Sequence, residues 1–155
     1  MAQVPAGGFQ CKIPVSKTGP AEANAGQDIT WNIKIPSDAE ALRGLACDLV
    51  NIKVTDTIKT VTGNATGTIK SITSGSSTGT GTGNVGTITI PGPYKVGDPP
   101  IEVTVVATLM GNGDIENVVD VVANLANCGQ GNLSGRVSGF ADLANVTGTA
   151  EVLGN

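Results

Sequence analysis

Between Val50 and Lys59 the chain alternates with a period of two. Val50, Ile52, Val54 and Ile58 share one face, and Asn51, Lys53, Thr55 and Thr57 the other. Asp56 falls on the apolar face, which is the wrong place for a carboxylate. The same period runs through DITWNIKI, with Ile29, Trp31, Ile33 and Ile35 inward, and through IEVTVVATLM, with Ile101, Val103, Val105, Ala107 and Leu109 together. IENVVDVVANL places Ile115, Asn117, Val119 and Val121 on one face, and CKIPVSKT does the same with Cys11, Ile13, Val15 and Lys17. Pro14 cannot donate to a ladder, so this first strand belongs at a sheet edge. Three strands therefore each turn one polar group inward: Lys17, Asp56 and Asn117.

The remaining segments fill in an all-β pattern. SDAEALRGLACDL, residues 37–49, is the one stretch suited to a short helical turn, since Ser37 and Glu40 have capping-box spacing and Gly44 could end it. TGTIKSIT and GTITIPG read as strands, separated by SGSSTGTGTGN, a polar low-complexity stretch expected to be a mobile linker. Weaker strands around SGRVSGF and NVTGTAEVL suggest a terminal hairpin. With about eight short strands punctuated by Gly, Thr and Asn, the expectation is an immunoglobulin-like antiparallel β-sandwich with a short helical turn and a C-terminal strand extension.

Composition narrows the function. A net charge of −4 argues against nucleic acid, and no apolar run approaches the length of a membrane span, so no membrane insertion is expected. The opening MAQVPAGGFQ holds neither a basic region nor an apolar segment, so no signal peptide is expected there. Histidine is absent, which removes Ser-His-Asp and Cys-His catalysis and His-based zinc sites. GNGDIEN lacks the carboxylates of a calcium loop, and no phosphate-binding loop occurs. No enzyme, cofactor or metal site is expected.

An isolated buried charge costs several kcal/mol, so inward-facing polar groups pair or change protonation. One reading makes Asp56 an acceptor for backbone N–H groups with Lys17 as its ion-pair partner. The other is covalent. Burial favours a neutral amine and a neutral acid, so Lys17 could attack the side-chain carbonyl of Asn117. Asp56 would polarise that carbonyl and shuttle the proton, ammonia would leave, and an isopeptide bond would close a long loop.

CKIPVSKTGPAEANAGQDITWNIKIP, VNIKVTDTI and IENVVDVVAN together resemble the immunoglobulin-like repeat domain of bacterial and archaeal surface proteins. They are also similar to the fimbrial isopeptide-forming, collagen-adhesin type of domain. That family carries a V-x-K-T strand, a G-D turn before a Y/W-x-I strand, a V-x-V-T-D-T strand and a late I-x-N-x-A strand. The chain departs from it at GQD in the turn, at Ile58-Lys59 after VTDT, and at Val118-Val119 after Asn117. The resemblance spans residues 11–128, leaving 1–10 as an N-terminal extension. Residues 129–155 become a C-terminal extension that packs on the same domain or a neighbour. It implies a first-strand Lys17 bonded to Asn117 beside Asp56. It also implies an extracellular structural or adhesive building block of a prokaryotic surface or surface filament. The alternative is a carbohydrate- or protein-binding module of a larger secreted protein.

Two expectations follow for covalent and non-covalent assembly. If the Asp56 and Asn117 strands run antiparallel, Cys47 and Cys128 meet at one end of the sandwich and form a disulfide; Cys11–Cys128 is the rival pairing. The edge position of the first strand admits self-association by strand addition.

Overall fold

The computed structural model describes residues 12–19, 23–127, 132–144 and 152–153. Twelve strands are formed among them. They are β1 (Ser16–Thr18), β2 (Ala23–Asn24), β3 (Asp28–Ile35), β4 (Asp48–Thr60), β5 (Thr66–Ser74), β6 (Ser77–Thr78), β7 (Thr80–Thr82), β8 (Val85–Ile90), β9 (Ile101–Met110), β10 (Gly113–Ala126), β11 (Asn132–Ala144) and β12 (Val152–Leu153). One sheet has the order β1-β3-β9-β5-β6; the other runs β12-β11-β10-β4-β8-β7, with β2 pairing β11 in parallel. The two sheets face each other across a core of Trp31, Ile33, Val103 and Val105 on one side and Val54, Ile58, Val119 and Val121 on the other. This is an all-β, immunoglobulin-like sandwich.

The strict alternation of β3, buried at every second residue, and of β9 follows from β-branched side chains packing on a pleated surface. In β4 the alternation slips once. Leu49 and Ile52 are both fully buried while Val50 is only half-buried, so the expected inward position of Val50 belongs to Leu49. Asn51 takes a φ of 50°, and the register with β10 shifts between Val122 and Asn124, which is a β-bulge. Beyond it the phase is the expected one, and Asp56 points into the core.

Two other expectations are corrected. Residues 37–49 form no helix. Asp38 Oδ1 accepts the Glu40 N–H at 2.8 Å, and the backbone closes three overlapping i→i+3 turns at Ala41, Arg43 and Leu45. Asp38, not Ser37, thus satisfies the free backbone donor, and the segment stays a run of turns. The polar stretch 74–84 is an ordered ribbon, not a mobile linker. Its β6 half pairs with β5 in one sheet, and its β7 half pairs with β8 in the other. Gly79 sits where it changes sheets, and its N–H donates to the Ile72 carbonyl at 2.8 Å. A Cβ at Gly79 would come within 2.7 Å of Ile88 Cβ and 2.8 Å of Ile72 Cγ2. Glycine is required there by close approach, not by flexibility.

At the C-terminal side, β11 pairs with β10 at twelve positions from Gly113↔Leu143 to Asn124↔Asn132. β12 then pairs antiparallel with β11 at Phe140 and Ala141. β11 and β12 are thus strands of the second sheet.

Candidate functional site

Lys17, Asp56 and Asn117 are the buried polar or charged side chains among the described residues, at 2%, 0% and 0% exposure. They come from both sheets. Lys17 lies on the edge strand β1 opposite Ile33 of β3. Asp56 pairs with Val119, and Asn117 with Ile58, on the neighbouring strands β4 and β10. Asp56 and Asn117 are therefore diagonal neighbours on one inner face, within reach of each other's side chains. The sandwich then closes Lys17 over them.

The contacts form a chain. Lys17 Nζ donates to Asn117 Oδ1 at 2.5 Å and also to the main-chain oxygen of Asn117. Asn117 Nδ2 donates to Asp56 Oδ1 at 2.5 Å. Asp56 Oδ2 and Trp31 Nε1, both buried, have no hydrogen-bond partner among the described residues. Lys17 Nζ sits 5.7 Å from the centroid of the Trp31 ring. The amide thus turns its oxygen to Lys17 and its nitrogen to Asp56. That corrects the expectation that Asp56 polarises the carbonyl: in this arrangement Asp56 faces the leaving nitrogen.

Burial pushes the Lys17 ammonium down to about 8, against the opposing charges of Asp56 and Glu116. Burial pushes the Asp56 carboxyl up to about 6, against the Lys17 charge and the Asn117 hydrogen bond. Burial thus draws the two values towards each other and brings a neutral amine with a neutral acid nearer than it would be for the same pair in water. The amine and the acid thus meet the two ends of one carboxamide.

Trp31 was expected as the centre of the core, not as a wall of this site. The signal for its place was available in Lys17-Thr18-Gly19, which leaves a residue without a Cβ just beyond the Thr18↔Asn32 pair. Elsewhere, Cys47 is buried and is not a free thiol. Cys11 and Cys128 lie outside the described residues, so neither expected pairing is observed. Around Cys47 the strand ends are tied together: Asp48 pairs with Ala126, and Asp48 Oδ2 accepts Asn127 Nδ2 at 2.8 Å. No cluster of metal-ligating side chains occurs among the described residues. No helix among them is long and apolar enough to cross a membrane.

No family model matches the sequence, and no curated protein matches it. Solved structures do. A cohesin module from a family 33 glycoside hydrolase of Clostridium perfringens superposes with a TM-score of 0.53 at 14% identity, covering 86% of this chain and 97% of that one. The C-terminal domain of the Streptococcus agalactiae AgI/II polypeptide BspA matches with a TM-score of 0.45 at 11% identity. This chain is covered over 91%, but it spans only about half of that domain, at 49%. The collagen-binding subdomain of the Enterococcus faecalis surface protein ACE matches with a TM-score of 0.41 at 14% identity, over 84% of this chain and 96% of that one. Identities this low speak to architecture alone. The chain has the β-sandwich fold that the cohesin module adopts.

Proposed function

We propose that this chain is an extracellular structural or adhesive building block of a prokaryotic cell surface, without enzymatic activity on a substrate, cross-linked by an intramolecular Lys17–Asn117 isopeptide bond. The observation that carries the reading is the convergence of an amine, a carboxamide and a carboxylic acid inside an otherwise apolar core. In the reaction the Lys17 Nζ–Asn117 Cγ bond forms and the Cγ–Nδ2 bond breaks. The Lys17 ammonium gives up two protons. One leaves on the departing nitrogen as ammonia, and the other remains on Asp56, which ends as a neutral acid suited to its burial.

A Cys47–Cys128 disulfide joins the same reading, supported by the Asp48–Asn127 tie that brings the neighbouring residues together. It would clamp the β4–β10 pair at one end, while the isopeptide holds β10 to β1 across the core. The disulfide suits a domain that works outside the reducing cell interior.

Intact mass of the reduced full chain tests the central bond. The expected mass is lower than the sequence mass by one ammonia, and Asp56→Ala restores the full value. Digestion should then yield a branched peptide joining Lys17 to Asn117. An unshifted wild-type mass leaves a buried hydrogen-bonded trio and removes the cross-link. Surface placement is checked separately by mild protease treatment of intact cells, which should release fragments of this chain.

A further inference from the structure

Buried indole N–H groups nearly always find a partner, because leaving one unmade costs about 1–3 kcal/mol. Trp31, at 1% exposure beside Lys17, has none for its Nε1 among the described residues. Its ring is placed from the β1 side. Gly19 follows Thr18, the last residue paired with β3, and a Cβ added at Gly19 would lie 2.8 Å from Trp31 Nε1. The indole therefore occupies the space that any other residue at position 19 would fill. It lies against Gly19, and the Lys17 amine stands over its ring, 5.7 Å from the centroid.

We infer that Trp31 is a positioning residue for the Lys17 amine, holding it against Asn117, and that Gly19 is the opening that lets the indole reach it. The inference rests on the cross-link reading given above. A lysine side chain has four rotatable bonds and samples many directions unless walls restrict it. Here the Trp31 ring bounds one side, and the two oxygens of Asn117 receive the head. The ring also acts electrostatically. A cation within about 6 Å of an indole face is favoured over the neutral amine. Trp31 thus holds the amine in place while raising the pH at which it becomes nucleophilic. The other charges bearing on Lys17 are Asp56 from β4 and Glu116 from β10.

These two actions give a signature that packing alone does not. The full chain is isolated unfolded in denaturant and refolded by dilution at a series of pH values, with ammonia loss followed by intact mass. The wild-type rate should rise and then fall with pH, because the reacting pair needs one proton shared between Lys17 and Asp56. The plateau compared between variants is its maximum, and the midpoint is that of its alkaline limb, where Lys17 loses its proton. In Trp31→Leu the plateau should fall by roughly ten- to a hundredfold, the usual consequence of a misplaced reacting group. Its midpoint should move to lower pH, since the ring no longer favours the ammonium. Trp31→Phe keeps a flat wall and should stay within about threefold of the wild-type plateau. Gly19→Ala displaces the ring and should slow the reaction as Trp31→Leu does. Only variants with the wild-type far-ultraviolet circular dichroism are compared, and Gly19→Ala with Trp31→Phe decides the matter if Trp31→Leu does not refold. A wild-type plateau in Trp31→Leu and Gly19→Ala overturns the inference while leaving the cross-link intact. So does a lowered plateau in Trp31→Leu with no change of midpoint. A wild type that starts at the full sequence mass and loses no ammonia on refolding sinks both.

Discussion

Replacing Lys17 with methionine separates a covalent site from an ionic one. Methionine keeps the length and apolar stem of the lysine, so repacking costs little. It removes the nucleophile. Lys17 and Asn117 are 100 residues apart, and a cross-link closing a loop of that length stabilises by about 4.7 kcal/mol through the unfolded chain. For a chain of this size the melting temperature should drop by about 10–20 °C. An uncross-linked ion network would also suffer, because breaking a buried pair costs about 3–5 kcal/mol near neutral pH. The two differ in their pH dependence.

In a cross-linked wild type and in Lys17→Met alike, Asp56 faces no ammonium and is carried as a neutral acid. The difference between the two proteins is then the same at about pH 4 as at about pH 7. In the ionic case Asp56 has a folded pKa raised from 3.8 to about 6. Its proton-linked stability is fully present below the unfolded value and is lost as pH rises through the folded one. At about pH 4 the acid is neutral, no pair remains to break, and the cost of Lys17→Met vanishes or reverses. Urea titrations of both proteins at the two pH values measure this directly. A cost that falls below about 1.5 kcal/mol at the lower pH would refute the covalent reasoning.

Gly79→Ala should destabilise by about 1–3 kcal/mol, because its Cβ would be forced against Ile72 and Ile88, and differential scanning calorimetry measures the loss. A chain ending at Gly129 loses β11 and with it the twelve paired positions along β10, and should show no cooperative thermal transition by circular dichroism. Peptide mapping without reductant should recover Cys47 joined to Cys128, and recovery of Cys47 with Cys11 would place the clamp at the N-terminal segment instead.

The inward polar residues were legible because a β-strand has a period of two and tolerates no drift. Once Ile52 and Val54 are assigned inward, Asp56 must follow, and the same holds for Asn117 between Ile115 and Val119. The bulge at Asn51 was not legible. An extra residue leaves no mark in the apolar pattern when Leu49 and Val50 are both hydrophobic, and only the backbone reveals which one turns inward. The ribbon of residues 74–84 was misread for a related reason. Glycine and threonine score as loop by composition, yet here the glycines admit a close crossing over Ile69 and Ile72. Order in that segment comes from what it touches. The Asp38 turn outcompeted the capping box for the same backbone donors, a contest that spacing alone does not decide. Nor does sequence record which way the Asn117 amide points, since both orientations fit the same strand phase.

The ends of the two sheets share a property that bears on how the protein behaves when concentrated. β1 and β6 close one sheet, and β7 and β12 close the other; each is only two or three residues long. A long bare edge is a template on which a second chain can crystallise its own backbone, and it is the usual start of fibrillar precipitation. Here the longer strands lie inside that short trim, and the ribbon crosses from sheet to sheet through Gly79 along one flank. Dense suspensions of this chain should therefore stay clear and freely diffusing, with colloidal behaviour set by surface charge and not by strand templating.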